Sequence, residues 1–451
     1  LGDGNILALT EQRALWEILK FFIHFTKISP QEDNAMNEKK EILVFKEAVI
    51  IDGTGADPIP NGSVVVEGDR IREVLAGSPG PLPSGALVID CKGRSLLPGL
   101  IDAHVHLGAV DANIMEQQRR YFPSMLVIRT LKVMKESLDQ GFTTVRDAGG
   151  IDPGFREAVA QELAPGPRLL VCAQPLSQTG GHGDFRLPTE IYAPVDQAAG
   201  LATRVCDGVD EVRRAARQQL RKGVDHVKVM AGGGAMSPSD EIDTSQYGLD
   251  ELGAVVFEAE SAGKYVSAHC YSDRSILNSI QAGIRSIEHG NLLTEKSAVA
   301  IRDANAFLVP TIVTYEMISR MGKDLGIPEN NVRKINEARE KALEALATAH
   351  RAGVNIASGS DLLGPMQVFK GMELELKARV LGPMKAIVAT TKTNAELIRK
   401  EKDLGTLEPG KLADLILVAG DPLKDIALIQ NYQENIPVIV QGGKMYKNTL
   451  A

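Results

Sequence analysis

Cysteine is scarce in this chain: four in 451 residues, at Cys91, Cys172, Cys206 and Cys270, with no CxxC pair and no dense spacing. That pattern excludes a zinc finger and a disulfide-stapled scaffold, and it fits a reducing cytoplasm, the expected location. A long uncharged apolar run is also missing. The most apolar early stretch, Leu15 to Ile28, is broken by Glu17, Lys20, His24 and Lys27 and has no small-residue cleavage site after it. It is too short and too charged to span a bilayer, and it does not read as a secretory signal. Positive charge is not in excess either. The formal net charge of -8 gives no electrostatic reason to expect nucleic acid or an anionic membrane as partner. No GxGxxG follows an early strand-like run, so a dinucleotide-binding fold has little support.

What remains is an ordinary globular balance, 44% hydrophobic and 24% charged, enough for one large domain and a smaller one. The first 35 residues differ in texture from the rest of the chain and are expected to be an upstream extension, with Met36 as the natural start. From Glu41 to Leu97, short β-branched runs alternate with turns, and the same texture returns in LADLILVAGDP and IPVIVQGGKMYKN near the end. The expected layout is therefore an extension over residues 1–40, a small β-sandwich built from residues 41–97 plus 403–451, and an inserted domain over residues 98–402.

Within that insert, eight apolar runs each lead into a helical or loop stretch: Leu100 to His106, Thr143 to Ala148, Arg168 to Pro175, His226 to Ala231, Tyr265 to Tyr271, Ser286 to His289, Phe307 to Val313, and Asn355 to Asp361. Asp210 to Lys222 and Val332 to Arg351 carry apolar residues at helical spacing. Alternation on this scale predicts an α/β fold, a (β/α)8 barrel whose active site sits at the carboxyl ends of its strands.

Several runs end in residues that carry chemistry. His104 and His106 lie two apart in a strand and so share a face. His269, His289 and Asp361 each end another run. Singly, either histidine reads as a hydrogen-bonded core residue and Asp361 as a helix N-cap, but five such residues on strand ends are hard to explain that way. Lys228 lies inside an apolar strand, where an ammonium is costly to bury. A neutral amine there can add carbon dioxide to form a carbamate that bridges two cations; an acid-paired lysine or a Schiff base are the alternatives. Val227 and Val229 point away from Lys228, and register alone does not say which face is the barrel interior.

Three further residues are candidate substrate contacts. His182, in the glycine-rich Thr179 to Asp184 loop, can donate to a carbonyl or carboxylate. Tyr271 shares the face of His269. Arg146 ends the second run, where substrate contact competes with a salt bridge to a neighbouring acid.

Taken together, PGLIDAHVH, VKVMAGGG, SAHCY, SIEHG and SGSD, with the closing phrase GTLEPGKLADLILV, resemble the amidohydrolase superfamily, in the branch of imidazolonepropionase-like enzymes and metal-dependent dipeptidases. The resemblance runs from about Ile42 to Tyr446. It implies a distorted barrel and two divalent ions, usually zinc, with His104, His106 and Asp361 on one, His269 and His289 on the other, and carboxylated Lys228 bridging them. It also implies attack by a metal-bridging hydroxide with Asp361 as general base and acid, and a homo-oligomer. The texture is most similar to prolidase-type members that cleave Xaa-Pro dipeptides, so the expected substrate is a dipeptide or small molecule with a free carboxylate. Release of C-terminal Arg or Lys, hydrolysis of N-acyl amino acids, an imidazolonepropionase-like ring hydrolysis, and a non-catalytic interaction protein on the same fold are the alternatives.

Overall fold

Short consecutive runs of β-branched and apolar residues, such as ILVF in 42–45 and VVV in 64–66, make the first strands, and the turns between them fall on residues that tolerate left-handed backbone. The computed structural model describes residues 41–191 and 200–450; the expected extension over residues 1–40 lies outside them. Strands β1 (Ile42–Ile50), β2 (Ile59–Glu67) and β3 (Arg70–Ala76) form an antiparallel meander, and β4 (Leu87–Asp90) and β5 (Ser95–Pro98) pair in parallel with β1. The β2–β3 hairpin turns through Gly68, whose φ of 62° suits glycine.

The next strands enclose the site. They are β6 (Leu100–Val105), β7 (Phe142–Asp147), β8 (Arg168–Val171), the short β9 (Leu176–Ser177) and β10 (Arg204–Val205), then β11 (Val227–Met230), β12 (Val266–Ser272), β13 (Ser286–Leu292), β14 (Phe307–Val309) and β15 (Asn355–Ile356). All pairings among them are parallel, in the orders β6-β7-β8 and β10-β9-β11-β12-β13-β14-β15. Backbone bonds close the two seams: Asp225 N–H donates to the Val171 carbonyl at 2.8 Å, and Ala103 N–H to the Ser358 carbonyl at 2.8 Å. β6, β7, β8, β11, β12, β13, β14 and β15 are thus the eight staves of a barrel. Strands such as β6, β7 and β11 are buried at every position, as parallel strands covered by helices must be.

β16 (Leu415–Val418), β17 (Val438–Gln441) and β18 (Lys444–Asn448) return to the first sheet, where β16 pairs antiparallel with β5 through Leu417 and Leu96. Both ends of the described chain therefore build one eight-stranded sheet, separate from the barrel, with Phe45, Val64, Leu96, Leu415 and Val440 in a shared core. Burying each such side chain contributes about 1.5–3 kcal/mol.

Three strand runs end four or more residues earlier than the sequence suggests. The third stops at Val171, just before Ala173 at φ 59°. The seventh stops at Val309, and a helix begins at Ile312. The eighth pairs only at Asn355–Ile356, after which the chain turns toward β6. The two helical stretches appear as Gly208–Arg221 and Glu329–Ala352. Among the described residues, no helix is long and apolar enough to cross a membrane.

Candidate metal centre

Period-two alternation on β6 turns His104 and His106 to the same barrel mouth. Residues 358–361 then fold over them: the Ser360 and Asp361 amides donate to the His104 carbonyl at 3.2 and 2.8 Å, and Ser360 Oγ donates to Asp102 at 2.6 Å. The two segments meet most closely at Gly359, where an added Cβ would lie 2.4 Å from the His104 Cβ. No larger residue fits without moving the ligand strand. Asp361 (φ 53°) and His289 (φ 72°) both hold left-handed backbone, a strain of about 1–3 kcal/mol that persists where side-chain placement matters.

His104 Nε2 and His106 Nε2 face each other at 3.3 Å, with Asp361 Oδ1 3.6 and 3.2 Å away. Among the described residues, these three form the group of possible ligands whose donor atoms all lie within 4.8 Å of one another. The outer nitrogens of the rings are engaged elsewhere. His104 Nδ1 meets Glu288 Oε2 at 2.7 Å, and His106 Nδ1 meets the Gly149 carbonyl at 2.5 Å. A carbonyl can only accept, so His106 carries its proton on Nδ1 and turns an Nε2 lone pair inward. An acceptor on the outer nitrogen is the arrangement that orients a metal-ligating imidazole, and the donor set fits a divalent cation.

His269 and His289 extend the cluster, their rings 4.4 Å apart and His289 4.9 Å from His104. His269 Nε2 donates to the Gly233 carbonyl at 3.1 Å, leaving Nδ1 as its lone-pair nitrogen, and His289 Nδ1 meets the Thr311 hydroxyl at 2.8 Å. Lys228 stands opposite Ser267 in the β11–β12 register, and Met230 opposite His269. Its side chain lines the same cavity as the four histidines and Asp361, so the lysine face of β11 is the interior one. Burial pulls the Lys228 amine below the ordinary lysine value, a shift that the nearby Glu288 carboxylate opposes.

Two of the three expected substrate contacts also line this cavity. His182 stacks on His269 at 4.1 Å, its Nδ1 2.9 Å from Ser237 Oγ and its backbone N–H on Gln246 Oε1 at 2.9 Å. Ser237 in turn donates to Asp240, which also accepts from Gln246 Nε2 at 2.7 Å. Lys334 Nζ caps the carbonyls of Gly234, Ser237 and Asp240 at 3.0, 2.8 and 2.9 Å. The glycine loop after β11 is thus pinned against His182, and a Cβ on Gly234 would lie 2.1 Å from that ring. Tyr271 packs on His289 with ring centroids 5.3 Å apart and accepts from the Tyr315 hydroxyl at 3.1 Å.

Arg146 corrects the sequence expectation. It is fully buried, is not among the residues lining the cavity, and binds both oxygens of Glu288 at 2.7 and 2.8 Å. The salt bridge, not substrate contact, is its role, because its strand face turns it into the barrel below His104. Sequence reasoning also passed over Glu288, Thr311, Tyr315, Ser237 and Asp240. Only Glu288 carried a signal, a charged residue inside an apolar strand.

The electrostatics predict a pH response. Burial drives His104, His226, His269 and His289 well below the usual imidazole range and His182 to about 3. In the unfolded chain these groups titrate near ~6.5. Below that pH the unfolded chain therefore binds more protons than the folded one, and stability falls as pH falls. In the presence of a chelator, stability is expected to fall from about pH 6.5 downward by up to about 1.4 kcal/mol per pH unit for each of these five histidines, with His106, raised beside Asp361, working the other way, and the melting temperature is expected to fall with it. A melting temperature constant from pH 7 to 5 contradicts this.

Comparison with known proteins places the chain. Residues 95–445 match the amidohydrolase family. The ochratoxinase of Aspergillus niger is 29% identical over 428 residues, covering 92% of this chain and 88% of that protein. A crystal structure of a prolidase complexed with N-methylphosphonate-L-proline is similar at TM-score 0.87 and 38% identity, covering 90% of this chain and all (100%) of the other. A Xaa-Pro dipeptidase with methionine bound in its active site is similar at TM-score 0.82 and 27% identity, with 90% and 100% covered.

Proposed function

Since the chain belongs to the amidohydrolase family and is a hydrolase of amide bonds, we propose that it is a metal-dependent dipeptidase that cleaves Xaa-Pro substrates. The observation that carries this reading is the make-up of the cavity. Its floor is the cluster of His104, His106, Lys228, His269, His289 and Asp361, and its wall is apolar, with Ile114, Phe185, Met230, Met236, Ile318 and Leu363. Among the described residues, Asp361 is the only acid lining it and Lys228 the only lysine or arginine. A C-terminal Arg or Lys side chain has no countercharge in such a wall and would be left desolvated and unpaired. A prolyl ring buries well there. The likeness to a prolidase supports the same choice.

In this reading His104, His106 and Asp361 would hold one divalent ion and His269 and His289 another, with a carbamate on Lys228 supplying oxygen donors to them; zinc would suit these nitrogen and oxygen donors. Ions bound there supply a water acidic enough to ionise near neutral pH and polarise the scissile carbonyl. Asp361, 3.2 Å from His106 Nε2 at the cavity floor, takes the proton of the attacking water and returns it to the departing nitrogen. That return is needed because the prolyl nitrogen is too basic to leave as an anion. Tyr271 holds the substrate's carboxylate with the hydroxyl proton left over when Tyr315 donates to it, and His182, whose Nδ1 proton goes to Ser237, offers only Nε2 as an acceptor toward the substrate. The apolar wall excludes bulk water, which strengthens each of these contacts.

A panel of dipeptides scored for released amino acid tests the reading. Leu-Pro and Ala-Pro are expected to be cleaved at least about tenfold faster than Ala-Arg or Ala-Lys, a difference of about 1.4 kcal/mol in barrier. Selective release of Arg or Lys overturns the substrate class. A second reading, hydrolysis of a bulky N-acyl amino acid, is favoured by the likeness to ochratoxinase; hydrolysis of ochratoxin A with no dipeptide cleaved replaces the first.

A further inference from the structure

Below the cavity, on the outer side of His104, lies a charged pair that takes no part in the proposed reaction. Arg146 on β7 and Glu288 on β13 are both fully buried. The guanidinium donates to both Glu288 oxygens at 2.7 and 2.8 Å, to Ser286 Oγ at 3.2 Å and, through Nε, to the carbonyl of Ala103 at 2.5 Å. Ser286 Oγ donates to Glu288 Oε1 at 2.5 Å. The remaining acceptor capacity of Glu288 is directed at His104, Oε2 to Nδ1 at 2.7 Å. The network straps β6, β7 and β13 together across the barrel and ends on a single imidazole.

A buried ion pair is weak evidence for stability, since desolvating both charges offsets most of their attraction. Its orientation toward one ring points to another use. We infer that Arg146 and Glu288 are positioning residues that act through His104 and make the cation site of His104, His106 and Asp361 the tighter of two, an inference that rests on the binuclear reading above. The four histidines differ in what backs them. His106 has the Gly149 carbonyl, His269 the Gly233 carbonyl and His289 the Thr311 hydroxyl, all neutral. His104 alone of the four is backed by a carboxylate. A charged acceptor forms the stronger hydrogen bond, holds the proton on Nδ1 and makes Nε2 the better lone-pair donor. Arg146 supplies the countercharge that lets a carboxylate stand in this dry interior. Its planar guanidinium sends Nη2 to both carboxylate oxygens, Nη1 to Ser286 and Nε to the Ala103 carbonyl, and this three-way hold sets where the ring sits, which the point charge of a lysine ammonium cannot reproduce.

The test is equilibrium stripping of the zinc-loaded protein by graded dipicolinate, with bound zinc counted by elemental analysis and the melting temperature of each ion-free variant recorded alongside. The unaltered chain is expected to lose one equivalent first and to need at least about tenfold more chelator to lose the second. Glu288→Gln and Arg146→Met are expected to weaken the tighter site about 10–100-fold, the usual cost of removing an outer partner, so that both equivalents leave together. Arg146→Lys is expected to recover part of the difference. Unchanged stripping in Glu288→Gln overturns the inference, whatever happens to the melting temperature, because a purely structural pair would alter folding alone. If Arg146→Met does not fold, Glu288→Gln and Ser286→Ala carry the test. If the unaltered chain holds only one equivalent, the binuclear reading falls, and the affinity of that single ion in Glu288→Gln still decides whether His104 is positioned in this way.

Discussion

An Asp361→Asn variant is expected to cleave Xaa-Pro dipeptides with kcat reduced by at least about a thousandfold, the upper range for losing a general acid and base, while KM moves only a few-fold. Asparagine keeps the size of the side chain and tolerates the left-handed backbone that Asp361 adopts at φ 53°. The Asp361 amide can still donate to the His104 carbonyl at 2.8 Å, so the fold should survive. What is lost is the charge beside His104 and His106 and the ability to accept and return a proton. Stopped-time assays of proline release check the result. A variant with more than a tenth of the original kcat removes Asp361 from the chemistry.

Lys228→Met is expected to abolish activity to the same degree without lowering the stability of the ion-free protein. Methionine matches the length of the lysine stem and fills irregular core space well. Lys228 is 1% exposed, inside a strand whose neighbours are all buried, and replacing a buried ionisable group by an apolar one of similar volume is often neutral or stabilising. If the lysine were there for the fold, the ion-free melting temperature would fall. If it carries the bridging carbamate, activity and one or both ions are lost while that temperature holds or rises. This separation of activity from stability is the mark of a residue kept for its chemistry. Retained activity, or a fall in both quantities together, contradicts the assignment.

The barrel was legible because its signals are local and repeated. Each of the eight apolar runs contains or overlaps a stave, and the strand-ending histidines follow from alternation alone, as at His104 and His106. The interior face of β11 was not legible until pairing with β12 set Lys228 opposite Ser267. The choice between substrate contact and salt bridge at Arg146 stayed open because its partner, Glu288, lies 142 positions away, and no periodicity reports a contact across a barrel. His289 hides a different effect. Strict alternation would turn it away from Glu288, yet its left-handed φ of 72° breaks the alternation and brings its ring to 4.4 Å from His269. Thr311 and Tyr315 sit at the start of a helix whose pattern is that of any amphipathic helix, and nothing in their spacing marks them as a hydroxyl chain joining His289 to Tyr271.

The central claim is that five strand ends bring four imidazoles, one carboxylate and one lysine together to hold catalytic ions. Elemental analysis of the protein as purified, without added metal, reads it most directly. The account predicts about two divalent ions per chain, as a two-metal hydrolase requires. A chain that contains none, and that hydrolyses amides equally well after exhaustive chelation, would contradict it.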